Sequence, residues 1–202
     1  MRVIKDNRNP MGTNSYLVID DNTKECYIID CASKLEAFQN IIEEENLKLN
    51  YILLTHGHFD HVMGAEFLRD KYNAKIVAHV DEKSILNNEN LNLSSMIRAK
   101  IEFDADIYLE GEEGVFEIFK YIHTPGHTKG GVSFLIEDRI FTGDTLFDKS
   151  IGRTDFPTGN YKTLIDVIKQ KILVLDPDTI VHAGHNDDTT VGAEKMHNPF
   201  LI

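Results

Sequence analysis

Cysteine is scarce in this chain, and the scarcity is informative. Only two occur among 202 residues, Cys26 and Cys31. If residues 25–30 form one extended strand, the pair lies roughly 16 Å apart at the usual rise per residue, beyond disulfide reach. Reduced core thiols in a cytosolic protein are therefore expected. Basic charge is also short: 21 Lys and Arg stand against 33 Asp and Glu, a net charge of −12. Nucleic acid and anionic membranes both need a basic surface, so neither is expected as the main partner. No apolar run is long enough to span a bilayer, and residues 1–20 lack the apolar core of a signal peptide; a cytoplasmic protein is expected. There is no low-complexity tract, linker or detectable internal repeat. What is present, 42% hydrophobic residues, is ordinary for a soluble globular protein. The length suits one sizeable core, so residues 1–202 are read as a single domain.

Period-two and helical patterns alternate along the chain. Met1–Lys5, Asn14–Ile19 and Glu25–Asp30 read as short strands of an opening meander. Ser33, with Glu36 three residues on, predicts a capping box for a helix whose apolar positions Leu35, Phe38, Ile41 and Ile42 run to about Asn46. Tyr51–Leu54 is a buried strand. Val62 to about Tyr72 is a helix with Phe67 and Leu68 inward, Lys75–Ala78 a strand, and Asp81 the start of another short helix. Residues 87–100 are the least regular stretch. The plain reading is a loose surface connection, the alternative a lid facing the substrate. Ile107–Leu109, Val115–Ile122, Gly131–Ile136 and Ile140–Thr142 read as strands. Asn160 caps a helix with Tyr161, Leu164, Ile165, Ile168 and Ile172 on one face. Thr179–His182 is a last strand and Thr190–His197 a terminal helical turn or two. Sheets inside and helices outside make this an α/β protein.

One stretch concentrates the chemistry. Thr55-His56-Gly57-His58-Phe59-Asp60-His61 places four potential metal ligands directly after the strand 51–54. On an extended segment His56 and His58 point the same way and can share one ion, while Asp60 and His61 come after the chain turns and can reach a second. Imidazole with carboxylate suits zinc, iron or manganese. Three later residues, His127, Asp144 and His185, each follow a strand by a few residues in a Gly-containing turn. If the strand ends converge, His56, His58 and His127 hold one ion. Asp60, His61 and His185 then hold a second, and Asp144 bridges them with its two oxygens. Two ions roughly 3.5 Å apart would keep a bridging water as hydroxide. A small residual positive charge would attract an anionic substrate. Lone histidines are usually surface or core residues, which is the reading of His79, His123, His182 and His197, with His123 and His182 also placed to support a ligand. The packed His-x-His-x-Asp-His loop is different: a structural role would waste four polar groups beside a buried strand end.

The loop, the Gly-His-Thr turn at 126–128, the Gly-Asp turn at 143–144 and the Gly-His turn at 184–185 occur in the order of the metallo-β-lactamase superfamily, which the chain resembles from Asn14 onward. The resemblance implies a four-layered αβ/βα sandwich with two central mixed β-sheets, helices outside and metals at one sheet edge. It implies that Asp30 hydrogen-bonds the metal loop. Cys31 departs from the Pro or Thr often found there. Within the superfamily, Gly143-Asp144-Thr145-Leu146-Phe147 and Ser150-Ile151-Gly152-Arg153-Thr154-Asp155 look like the type II glyoxalase-like group, the hydroxyacylglutathione hydrolases. The ending 198–201, Asn-Pro-Phe-Leu, is similar to short members without the C-terminal helical domain. Asn186-Asp187-Asp188 replaces the commoner Gly-Pro after the last histidine. The implied function is hydrolysis of a small anionic thioester by a metal-bridging hydroxide, with Asp60 orienting the nucleophile. The ions would be two divalent metals, zinc before iron or manganese. Persulfide dioxygenases share these motifs and offer an alternative, with one iron on His56, His127 and Asp144. Arg153 pairs with Asp155 or binds a substrate carboxylate, and Lys129 is a further candidate for the substrate's anionic group.

Overall fold

The computed structural model describes all 202 residues, which form two compact units, Met1–Ala78 with Lys83–Tyr108 and His79–Glu82 with Leu109–Ile202. Each carries a six-stranded mixed sheet.

In the first unit the sheet order is β1 (Arg2–Asp6), β2 (Ser15–Asp20), β3 (Glu25–Ile29), β4 (Lys48–Leu53), β5 (Lys75–His79) and β6 (Ile107–Leu109). β1, β2 and β3 are antiparallel neighbours, and β3, β4 and β5 run parallel. Each parallel strand carries a short apolar run, Tyr27–Ile29, Tyr51–Leu53 and Ile76–Ala78. Leu17, Ile28, Ile52 and Ile76 are fully buried with Phe38 and Ile42 of α1 (Glu36–Glu44) and Leu68 of α3 (Ala65–Tyr72). Each such side chain contributes about 1.5–3 kcal/mol on burial. Cys26 and Cys31 are free, buried thiols, as the strand geometry implies, and burial pushes Cys26 up to about 12.

Ser33 does not cap α1. Its hydroxyl accepts from Leu35 N at 3.2 Å, and the helix starts one residue after Leu35, which sits at φ 52° with no side-chain cap. The helix expected from Val62 is two helices, α2 (Phe59–Val62) and α3, separated at Met63-Gly64. The cause is a competing strand end: Cys31 N donates to His61 O at 2.6 Å and Gly64 N to Cys31 O at 2.9 Å. A Cβ on Gly64 would sit 1.8 Å from Ser33 O, so only glycine fits this crossing. Leu68 is buried, but Phe67 is 40% exposed, under the Lys34 ammonium. Residues 87–100 are neither loose nor unstructured. They contain a 3₁₀ turn at Ser94–Ile97, and Asn92 and Ser94 are fully buried. Asn92 O accepts from Phe59 N at 2.8 Å, pinning this stretch to the histidine loop.

In the second unit the order is β14 (Thr189–Thr190), β13 (Ile180–Ala183), β10 (Arg139–Gly143), β9 (Val132–Ile136), β8 (Phe119–His123) and β7 (Glu113–Phe116); β11 (Leu146–Phe147) and β12 (Ser150–Ile151) pair separately. The short helix after Asp81, α4 (Lys83–Leu86), belongs to the first unit. Only β10 and β13 are parallel. The strand expected over 115–122 is therefore a hairpin, turning at Glu117 with φ 52°. Phe116-Glu117-Ile118-Phe119 carries no Gly, Asn or Pro to announce the turn. Asn160 caps α5 (Tyr161–Val167) as expected, its Oδ1 accepting from Thr163 N at 2.9 Å, a contact worth about 1 kcal/mol. Leu164, Ile168 and Ile172 are buried with Ile140 and Val181, whereas Tyr161 is 54% exposed and lies outside that face. Thr190 caps the last helix, α6 (Val191–His197). No helix is long and apolar enough to cross a membrane.

Candidate metal centre

The first unit presents four of the expected ligands at the C-terminal end of β4. Asp30 organises them. It follows β3 in the left-handed region at φ 54°, a conformation Asp tolerates, and is buried. Its carboxylate accepts from Thr55 N at 2.8 Å and from Thr55 Oγ1 at 2.7 Å, and lies 2.8 Å from His61 Nδ1. This is the contact with the metal loop that the resemblance implies for Asp30. Because a carboxylate only accepts, His61 Nδ1 is the protonated nitrogen and Nε2 carries the lone pair. Thr55 Oγ1 gives its hydrogen to Asp30 and so accepts from His56 Nδ1 at 3.1 Å, leaving His56 Nε2 as its lone-pair nitrogen too.

The rings of His56, His58 and His61 cluster, with centroids 4.8 Å apart for His56–His58 and 4.1 Å for His56–His61. All three are essentially buried. Asp60 Oδ2 lies 3.6 Å from His61 Nε2 and accepts from Thr13 Oγ1 at 2.8 Å. Thr13, fully buried before β2, carries no signal in the sequence, because nothing in its neighbourhood announces a partner 47 residues away.

The second unit gathers the other three. His127, Asp144 and His185 follow β8, β10 and β13. Asp144 Oδ2 lies 3.6 Å from His127 Nε2 and also 3.6 Å from His185 Nε2. That spacing is too long for a hydrogen bond. It is close to the ~3.4 Å between two donors each ~2.1 Å from a tetrahedral ion. His127 Nδ1 donates to Arg153 O at 2.6 Å, so Nε2 is again the lone-pair nitrogen. Gly152 makes this approach possible: a Cβ there would sit 1.7 Å from Asp144 O and 3.2 Å from His127 Nδ1. Gly184 N donates to Gly143 O at 2.8 Å, tying the turn before His185 to the turn before Asp144. His182 Nδ1 pairs with Asp188 Oδ2 at 2.9 Å, and its ring stacks on Phe141, so it supports the His185 turn.

The donor types, the assigned lone-pair nitrogens and the 3.6 Å edges fit a metal centre. Lys129 is exposed. Arg153 makes two bonds to Asp155, at 2.9 and 2.8 Å, and its guanidinium lies 4.3 Å from the Phe156 ring centre. His197 is exposed. His79 and His123, isolated in sequence, form a stacked pair.

Residues 8–185 match the family described as metallo-beta-lactamase superfamily. The chain is 40% identical over 197 residues to "Hydroxyacylglutathione hydrolase GloC" of Haemophilus influenzae, covering 93% of this chain and 92% of that protein. Among solved structures it is similar to BLEG-1, titled a B3 metallo-beta-lactamase, at 37% identity and TM-score 0.91, covering 99% of each chain. It is also similar to TTHA1623 in a di-iron-bound form, at 30% identity and TM-score 0.88, covering 98% of this chain and all of that one.

Proposed function

Because the chain belongs to the metallo-β-lactamase superfamily, we propose that it is a metal-dependent hydrolase that cleaves a small anionic thioester of the hydroxyacylglutathione type. The observation that carries the proposal is the complete set of seven donors: six are oriented by a hydrogen bond or a matching carboxylate edge within their own unit, and His58 sits edge-on to the His56 ring. In this reading His56, His58 and His127 hold one divalent ion, Asp60, His61 and His185 a second, and Asp144 serves both. Zinc is the first choice, with iron and manganese chemically admissible.

When bound, two such ions supply a water-derived nucleophile at neutral pH and polarise the acyl carbonyl. Asp60, steadied by Thr13, orients that water and takes its proton. Asp30 holds His61 in the ligating tautomer through a buried pair, and the Arg153 carbonyl does the same for His127. A thiolate leaves without a strong general acid, consistent with a donor set that includes no obvious one. Lys129 and Arg153, exposed cations on the second unit, are the candidate contacts for the substrate's carboxylates. Arg153 is the weaker of the two, since Asp155 already engages its fork.

The 40% identity to a protein named hydroxyacylglutathione hydrolase supports the thioester. The Gly152-Arg153-Thr154-Asp155 loop supports a second reading, oxygenation of a persulfide with one iron on His56, His127 and Asp144. The assay that separates them offers metal-replete protein lactoylglutathione, thioesters of other thiols, a β-lactam and, with oxygen monitored, a persulfide. Thioester turnover is expected. Turnover confined to the β-lactam, or oxygen uptake with the persulfide, would replace the thioester reading.

A further inference from the structure

The turn that carries His127 is held from outside its own sequence. The 3₁₀ segment Val80–Glu82 lies against residues 128–130. Glu82 is fully buried, and its Oε1 accepts both the Thr128 hydroxyl at 2.5 Å and Gly130 N at 3.0 Å. The backbones touch as well: a Cβ on Gly130 would sit 2.5 Å from Glu82 N. Beside this, His123 Nε2 donates to Lys129 O at 3.0 Å, and the His79 ring stacks on His123 with centroids 4.0 Å apart. Within the turn Gly126 N donates to Thr128 O, and Thr124 N to Gly131 O. His127, whose Nε2 lies 3.6 Å from Asp144 Oδ2, thus sits between neighbours that are fastened on either side.

His79, Asp81 and His123 do not themselves make a second ion site. The two imidazoles are 11° from parallel, so their lone pairs run side by side instead of converging. Each ring also has an Nε2 committed to a carbonyl, that of Gly111 or Lys129.

A fully buried carboxylate is expensive unless it is hydrogen-bonded, and a charged acceptor makes stronger, shorter bonds than a neutral one. A turn that needed only a filler would not require it. We propose that Glu82 is a positioning residue for the metal centre: through Thr128 and Gly130 it fixes the turn that aims His127 Nε2. The inference rests on the reading of His127 as a metal ligand.

The test measures affinity for Zn²⁺ by chelator competition, and the visible spectrum with Co²⁺, on the full chain and on Thr128→Val, Glu82→Ala, Glu82→Gln and His127→Ala. Thr128→Val deletes one bond at nearly constant volume. Supporting residues of metal ligands typically cost ~10–100-fold in affinity. Thr128→Val is expected near the lower end and Glu82→Ala near the upper. Glu82→Gln should fall between them, with the Co²⁺ spectrum altered in each and the melting temperature of metal-free Thr128→Val close to that of the parent. Parental affinity and spectrum in both Thr128→Val and Glu82→Ala would overturn the proposal. So would lower metal-free stability with an unchanged Co²⁺ spectrum, which marks a merely structural brace. If Glu82→Ala does not fold, Thr128→Val decides alone. Failure of the underlying reading looks different: His127→Ala would then bind Zn²⁺ as the parent does, and both conclusions would fall.

Discussion

The two halves of the donor set are built by opposite means. In the first unit, His56, His58, Asp60 and His61 come from one continuous stretch, and a single buried carboxylate, Asp30, engages both ends of it at Thr55 and His61. In the second, His127, Asp144 and His185 come from three separate strand ends. They are held by main-chain groups (Arg153 O, Gly143 O) and by carboxylates far off in sequence or half exposed. The first half concentrates its support in one residue; the second distributes it. Loss of Asp30 should therefore cost more stability than loss of a partly exposed support such as Asp188, while metal content should depend most on the carboxylate that both second-unit histidines face.

Asp144 is that carboxylate, and the largest effect is expected there. Asp144→Ala should strip the protein of both ions, whereas His58→Ala should empty one position. Both should lower thioester turnover well beyond the roughly 10–100-fold that supporting residues cost. Metal content measured beside kcat/KM checks this, and equal metal loss in the two variants would erase the distinction.

The next contrast pairs the two supporting carboxylates. Asp30→Ala removes the acceptor of three buried donors, His61 Nδ1, Thr55 N and Thr55 Oγ1, and a buried donor that loses its acceptor costs about 1–3 kcal/mol. Asp188→Ala breaks the His182 pair, whose carboxylate is 34% exposed, and should cost under about 1 kcal/mol. Denaturant unfolding of both variants measures the difference; similar losses would mean that support is not concentrated in the first unit.

Glycines offer a third comparison. Gly64→Ala and Gly152→Ala each drive a Cβ into a backbone carbonyl, that of Ser33 at 1.8 Å or Asp144 at 1.7 Å. Overpacking of this kind costs about 1–3 kcal/mol or more. Gly64→Ala should show it chiefly as lost stability, and Gly152→Ala chiefly as lost metal affinity, because the displaced carbonyl belongs to Asp144, the proposed shared ligand.

The smallest effect is in pH. Burial, with the neighbouring His123, holds the His79 imidazole below its usual 6.5. Above pH 6.5 the ring is neutral folded or unfolded, and its contribution to stability is complete. As pH falls below 6.5 the unfolded chain takes up the proton first and that contribution drains away. His79→Phe keeps an aromatic ring over His123 and removes the titration, so its melting temperature should fall less steeply on acidification. An unchanged slope would show that other groups set it.

This contrast also explains what was legible in the sequence. The first half could be read directly, because four polar side chains after an apolar strand have no cheap structural use. The ligands of the second half could be read only as three strand-then-glycine turns awaiting convergence. Their supports could not: the Arg153 carbonyl belongs to the main chain and leaves no residue signature, and Glu82 meets Thr128 across 46 residues. The strands were legible wherever alternation was bounded by turn residues. The 113–123 hairpin was hidden because Glu117 takes a left-handed conformation without an Asn or Gly to announce it. The break at Met63-Gly64 was hidden for a different reason. A carbonyl and an amide of Cys31 outcompete the helix there, and tertiary contacts do not appear in local periodicity.

The most direct test of the account is the metal content of freshly purified protein, by elemental analysis, in the parent and in Asp144→Ala. Two divalent ions per chain, chiefly zinc, with both lost in the variant, is the predicted result. One iron per chain, or two ions retained without Asp144, would contradict it.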